Sequence, residues 1–325
     1  MSSRYLQALT VAALGVGTVV WGIINPNEFS AVGLLLGAAS LPTAVLLAVS
    51  GRLKTDVPIG SLVGGGTIGP TIAVLSHALV FGFAYLFFFG FAEEAGSILE
   101  ALRIDPALVD AVGSPWILLL FFELVLVAPF TEEIGKAVGA SVQRPGSRQA
   151  AFMAGVAAGV GFAVVENVLY ASGGFFLGTE WQAVISVRML GAAVHPLASG
   201  LVVMGWWEWR QHRDAGLLAR RFLAGAGVHA LWNGSIVVLG VVGEAYGIDR
   251  LVGLGALGVV YAAGLGAIAV AMLWRVSTSV ADDLEKLVAF DGTEVRTIGG
   301  WLVLTASILV PIALLFIAYP VWVNG

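Results

Sequence analysis

The chain has 325 residues, 58% of them hydrophobic and only 11% charged, with a formal net charge of -5. That composition excludes a soluble globular domain and a disordered chain, and it fits a polytopic membrane protein. There is no basic patch for nucleic acid, and with no cysteine in the sequence disulfides, thiolate ligands and a cysteine nucleophile are excluded, so any metal must be held by His, Asp or Glu.

In chain order, apolar runs of about twenty residues, the length that crosses a bilayer, predict nine transmembrane helices. They lie at roughly 5–25, 30–50, 71–92, 115–140, 149–173, 183–206, 219–241, 250–274 and 299–321. The first follows a single Arg4 and has no small-residue cleavage site behind a short core, which marks a retained anchor and not a removed signal peptide. Basic residues set the orientation. The N-terminus and the loops after spans two, four, six and eight hold twelve Lys and Arg, whereas the opposite loops hold only Arg103 and Arg250. Lys136 and Arg188, inside spans, complete the 16. The expected fold is an all-α polytopic membrane protein of about nine transmembrane helices, with its N-terminus cytoplasmic and its C-terminus extracytoplasmic. It divides into an N-terminal three-helix segment with an acidic extracytoplasmic loop (1–114), a helical core carrying the intramembrane charges (115–241) and a C-terminal two-helix segment (242–325).

Between the spans, Gly60–Gly69, with Gly64, Gly65 and Gly66 in a row, reads as a flexible cytoplasmic loop without a phosphate-binding pattern. The acidic stretch 93–114 predicts a short amphipathic helix on the outer surface, and 275–296, with Leu284, Leu287 and Val288 at helical spacing, predicts a second surface helix. Gly155 and Gly159 in span five, and Gly253, Gly255, Gly258, Gly264 and Gly266 in span eight, are spaced for close helix packing. No internal repeat is evident, which counts against a transporter built from duplicated halves.

Span four carries Pro129-Phe130-Thr131-Glu132-Glu133-Ile134-Gly135-Lys136, with three ionisable side chains where hydrocarbon is expected. Each costs roughly 2.5 to 3.5 kcal/mol on insertion scales. Further members are Glu123 in the same span, Glu166 in span five, Arg188 and His195 in span six and His229 in span seven, while His77 in span three stands apart. A single such residue is better explained as a structural hydrogen bond. Four consecutive spans that carry them point to one shared polar pocket.

Helical spacing orders the pocket. Glu132 and Glu133 precede Lys136 by four and three residues, so either reaches the ammonium along the helix, but one cation cannot neutralise both. A carboxylate is left for general-base or proton-shuttle work. Pro129 removes a backbone donor and is expected to kink the helix, turning carbonyls towards the pocket. Glu123, nine residues before Glu132, falls on the opposite face and outside the site. Phe162, Glu166 and Tyr170 share one face, with Asn167 beside them. Arg188 and His195, seven residues apart, are expected on one face of span six, with Pro196 disturbing the helix after them. His229 and Asn233, one turn apart, are placed to point at one reacting oxygen.

Together these strings resemble the PrsW family of intramembrane proteases, a branch of the group that includes the CAAX prenyl endopeptidases and bacterial Abi-type membrane proteases. The family pattern is Glu-Glu-x-x-Lys, then Phe-x-x-x-Glu-Asn-x-x-Tyr, then Arg and His in the next helix, then His-x-x-Trp-Asn. The chain matches with Glu132, Glu133 and Lys136, with Phe162 to Tyr170 including Glu166 and Asn167, with Arg188 and His195, and with His229, Trp232 and Asn233. The match covers about 129–233 and shows no departure at the motif positions. Prenyl-endopeptidase relatives typically carry His where this chain has Glu166, so their mechanism does not transfer at that residue. The resemblance implies an intramembrane endopeptidase with catalytic residues among Glu132, Glu133, Glu166, His195, His229 and Asn233. Lys136, Asn167, Tyr170 and Arg188 would support them, and the target would be a membrane-anchored protein or peptide such as an anti-sigma factor.

Two chemistries fit these residues. In one, Glu132 or Glu133 is a general base on water while His229 and Asn233 stabilise the oxyanion without a metal. In the other, His195 and His229, with Glu166 or one of the paired glutamates, bind Zn²⁺, as the label metalloprotease given to the family implies. Depth is a difficulty for both: counted from Arg221 and Ser147 as edges, His229 lies about 12 Å deep and Glu166 about 28 Å, at roughly 1.5 Å per residue. A proton-coupled transporter and a non-catalytic scaffold that keeps the pocket are the rival readings. High Ala, Gly and Val with few Lys indicate a GC-rich bacterial genome and hence the plasma membrane, with the lipid bilayer as a necessary partner.

Overall fold

An apolar run in lipid has no water to bond its backbone, so it closes on itself as helix. The computed structural model describes residues 3–24, 30–90, 119, 121–177, 181–245 and 256–281, and among these there is helix and no strand. The elements are α1 (Ser3–Ile24), α2 (Ser30–Leu53), α3 (Ile59–Gly90), a π-helical turn (Glu123–Val127) that runs into α4 (Ala128–Ala140), α5 (Arg148–Leu177), α6 (Trp181–Leu190), α7 (Val194–His212), α8 (Ala215–Ala245) and α9 (Ala256–Val280). Five stretches within them are long and apolar enough to cross a membrane: Leu35–Leu53, Ile59–Phe83, Arg148–Tyr170, Ala215–Leu239 and Gly258–Val280. The chain is a membrane protein. The acidic stretch 93–114, the expected ninth span at 299–321 and most of the polar segment 275–296 lie outside the described residues, although α9 continues to Val280, past the expected end at 274.

Local chemistry sets several boundaries. Ser147 Oγ accepts the Ala150 N–H at 3.1 Å and starts α5, and Asp214 Oδ1 accepts the Leu217 N–H at 3.0 Å at the start of α8. Arg213, with φ 56°, turns the chain out of α7 in the left-handed conformation. At this end of the bundle buried Glu208 receives Arg148 at 2.8 Å and Arg221 at 3.2 Å, which ties α5, α7 and α8 together.

Helix α5 is the centre of the bundle. In its apolar stretch 72% of residues are buried, against 22% in those of α8 and α9. Helices α2, α3 and α7 surround it. Phe152, Met153 and Val156 of α5 meet Leu197, Leu201 and Met204 of α7 in the main apolar cluster.

The glycine stretch Gly60–Gly69 is not a loop but the first turns of α3. A Cβ at Gly64 would fall 2.3 Å from Gly139 O of α4, and one at Gly65 would fall 2.1 Å from Ala158 O of α5. Three small residues in a row therefore serve contact, not flexibility: α3 lies backbone to backbone against both helices. Gly155 and Gly159 do the expected work on the other side of α5, where a Cβ on Gly159 would meet His195 O at 2.4 Å. In α9, Gly266 abuts Leu190 O in the same way, but Gly264 has nothing within 4 Å and is no packing residue.

Span six is not one helix. The chain leaves helix at Gly191–Ala193 and restarts at Val194, so Arg188 and His195 belong to different helices and share no face. Pro196 explains the position of the break: lacking an N–H, it is tolerated in the first turn of α7, where that donor would have no helical partner. Span four also departs from a regular helix, with the π-helical turn directly upstream of Pro129 taking up the irregularity expected there.

Candidate active site

Helix α4 carries Glu132, Glu133 and Lys136 on the side that faces α5, α7 and α8, and all three are buried, Lys136 and Glu133 completely. The ammonium is the hub. Lys136 Nζ lies 2.7 Å from Glu133 Oε1, 3.2 Å from Glu132 Oε2 and 2.8 Å from His195 Nδ1, and it rests 4.1 Å above the Phe162 ring. An ammonium can only donate, so Nδ1 of His195 is the acceptor and carries a lone pair.

The two carboxylates of α4 are treated differently. Glu133 accepts from Lys136, from Ser199 Oγ at 2.8 Å and from His229 Nδ1 at 3.2 Å. Glu132 has one hydrogen bond, from Lys136, and looks across 3.7 Å at His229 Nε2. The imidazoles of His195 and His229 meet edge to face, with centroids 4.5 Å apart.

Behind His195 stands a second ionic group. Glu166 Oε2 lies 2.9 Å from His195 Nε2 and 2.5 Å from Arg188 Nη2. Arg188 Nε donates to Asn167 Oδ1 at 2.8 Å and its guanidinium lies 4.2 Å from the Tyr170 ring, while Asn167 Nδ2 donates to Ala38 O at 3.1 Å. The family-motif residues of α5 and α6 thus meet in one cluster. The depth gap closes because Gly159 seats the backbone of His195 seven residues below Glu166, and the imidazole and carboxylate span the remaining distance of about 10 Å.

Asn233 is placed otherwise than expected. Its amide donates to Leu124 O in the π-helical turn at 3.1 Å and approaches His229 Nε2 at 3.3 Å, so it holds the imidazole and a freed carbonyl and does not stand beside the imidazole over a common space. His77 does not stand apart. It faces Glu123 at 3.4 Å through Nδ1 and Thr131 Oγ1 at 2.8 Å through Nε2, which fixes the opposite side of α4 and gives Glu123 its partner outside the site.

Ser199 and Glu208 are not among the residues that the sequence singles out. Ser199 is legible as the residue one turn after His195 on α7; Glu208, beside loop arginines, gave no such signal. A cavity of about 150 Å³ lined by Leu124, Tyr170, Arg188, Trp232 and Asn233 opens next to the cluster. A larger apolar groove of about 590 Å³, between α1, α2, α6 and α9, holds none of these polar groups.

The donor set suits a metal. One atom each from Glu132, His195 and His229 lies within 4.8 Å of the other two, all buried. Each imidazole has its other nitrogen towards a carboxylate, Glu166 for His195 and Glu133 for His229, the outer arrangement that orients metal-bound histidines. Glu166 itself stands behind His195 and is not one of the three.

A helical membrane protein with a buried carboxylate, imidazole and ammonium cluster between its helices has the architecture of an enzyme working at membrane depth. The chain belongs to the PrsW family of intramembrane metalloproteases, whose model matches residues 71–265. No curated protein and no solved structure matches it.

Proposed function

We propose that the protein hydrolyses a peptide bond of a membrane-anchored protein or peptide, an anti-sigma factor being one such target, within a bacterial plasma membrane, and that Glu132 receives the proton of the attacking water. One observation carries the assignment: Glu133 is tied to Lys136, Ser199 and His229, whereas Glu132 keeps lone pairs free beside both imidazoles. Lys136 holds both carboxylates in register and supplies positive charge next to the oxygen that develops negative charge. Glu133 fixes His229 with its proton on Nδ1, and Glu166 fixes His195 with its proton on Nε2, so the acceptor nitrogens are His195 Nδ1, which meets Lys136, and His229 Nε2, which meets the Asn233 amide. Arg188 positions Glu166, and Asn233 positions His229. In the alternative, metal-dependent chemistry Glu132, His195 and His229 would hold a Zn²⁺ ion, which when bound supplies Lewis-acid polarisation and an acidified water, and Glu132 would then serve as a ligand in place of its role as base. The orientation that fits the basic residues has a cytoplasmic N-terminus.

The test compares membrane proteomes of cells with the wild-type protein and with Glu132→Gln, reading new protein termini within or beside apolar segments. At least one such terminus should fall by about 10²-fold or more in the variant, the usual loss on removing a general base. Identical termini in both would refute the reading.

A further inference from the structure

Among the described residues, Lys136 is the one strongly basic side chain that reaches the proposed metal-binding atoms, and its placement has a consequence for them. His195 Nδ1 has a single in-plane lone pair, and the Lys136 ammonium, 2.8 Å away, already occupies it. The other nitrogen of that ring faces Glu166 at 2.9 Å, so His195 has no second lone pair to offer a metal. The same ammonium holds Glu132 Oε2 at 3.2 Å. Two of the three atoms that a metal would use are thus already bound to a cation that belongs to the chain.

We propose that Lys136 and a divalent metal are alternative occupants of this site, so that metal enters only when the ammonium withdraws from His195 and Glu132. A place to withdraw to exists without exposure to lipid. Nζ is already 2.7 Å from Glu133 Oε1 and 4.1 Å from the Phe162 ring, and those two contacts can hold a charge after the others are released. The inference rests on the reading of Glu132, His195 and His229 as the metal-binding set. Its readout is bound metal and needs no substrate, so failure to find a cleaved protein leaves it standing.

The experiment uses the full chain, purified in detergent and stripped with chelator, with Zn²⁺ binding followed by equilibrium dialysis and elemental analysis. Lys136→Met should bind one Zn²⁺ per chain at least tenfold more tightly than wild type, and adding His195→Ala should remove the gain. Because Lys136→Met leaves Glu133 buried without its cation, Glu133→Gln/Lys136→Met, which removes both charges together, is measured beside it and should show the same gain. Equal affinity in wild type and in the charge-neutral double variant, or a gain that survives His195→Ala, overturns the proposal. A measurement on wild type guards against misfolded variants: the chain has only Lys54, Lys136 and Lys286, so side-chain ¹⁵N labelling gives few signals. The Lys136 signal should move as Zn²⁺ saturates the site, and stoichiometric Zn²⁺ with that signal unmoved overturns the proposal.

Discussion

The contact of α3 with α5 offers a quantitative test of how the site is held. A Cβ placed on Gly161 would fall 1.9 Å from Leu62 O, where ordinary contact begins near 3.4 Å, so Gly161→Ala must part the two helices by about 1.5 Å or bend one of them. The obstacle is a helix backbone, which cannot rotate away as a side chain would. Overpacking of this kind costs about 1–3 kcal/mol. The top of that range applies here, because parting the helices also loosens the neighbouring Gly65 to Ala158 approach. Alanine returns about 1 kcal/mol of helix propensity, leaving a net loss of about 2 kcal/mol. Gly264 supplies the control: it is in α9 with nothing within 4 Å, so Gly264→Ala should keep the propensity gain and stabilise by up to about 1 kcal/mol. The pair should differ by about 3 kcal/mol, roughly a hundredfold in the unfolding equilibrium, measured by unfolding of the purified proteins in mixed micelles. If Gly161→Ala is as stable as Gly264→Ala, the close approach of α3 is wrong, and with it the placement of α4, whose backbone packs on α3 at Gly135 and Gly139.

Arg188→Lys keeps a positive charge beside Glu166 but cannot also donate to Asn167 Oδ1, and the buried amide oxygen left unpaired should lower stability by about 1–3 kcal/mol; an unchanged thermal midpoint would show that the guanidinium fork is dispensable. Glu208→Gln weakens the tie to Arg148 and Arg221, and because both arginines are about 30% exposed the loss should be small, about 1 kcal/mol, and should shrink further in high salt when melts are compared.

Much of the site was legible because charge in hydrocarbon cannot be concealed. Glu132, Glu133, Lys136, Glu166, Arg188, His195 and His229 stood out by their cost alone, and helical spacing correctly paired Lys136 with both glutamates. Spacing failed where the helix was not continuous. Arg188 and His195 do meet around Glu166, but from opposite sides of a break that an apolar run of average hydropathy does not reveal. The glycine run of α3 forms helix and not the expected loop because glycine marks two opposite things, a free backbone in a loop and a tightly packed one between helices, and only the partner helix distinguishes them. Ser199 was silent for another reason: a hydroxyl is cheap in a membrane helix, where it can bond its own backbone, so composition gives no sign that it serves Glu133.

Formal charge connects the two chemistries proposed for the pocket. Glu133 with Lys136 at 2.7 Å and Glu166 with Arg188 at 2.5 Å form two closed pairs, and the two imidazoles are neutral when each keeps a lone pair. Among the described residues of the pocket, Glu132 is then the one carboxylate without a cation of its own, and this set as a whole wants one more positive charge. A proton taken from water supplies that charge and no more. A divalent ion supplies twice as much, and with the ammonium still in place the centre would carry an excess in a medium that tolerates none. Retreat of Lys136 towards Glu133 and Phe162 relieves that excess locally. The same residue that prepares Glu132 to take a proton therefore sets the condition on which a metal can replace that proton.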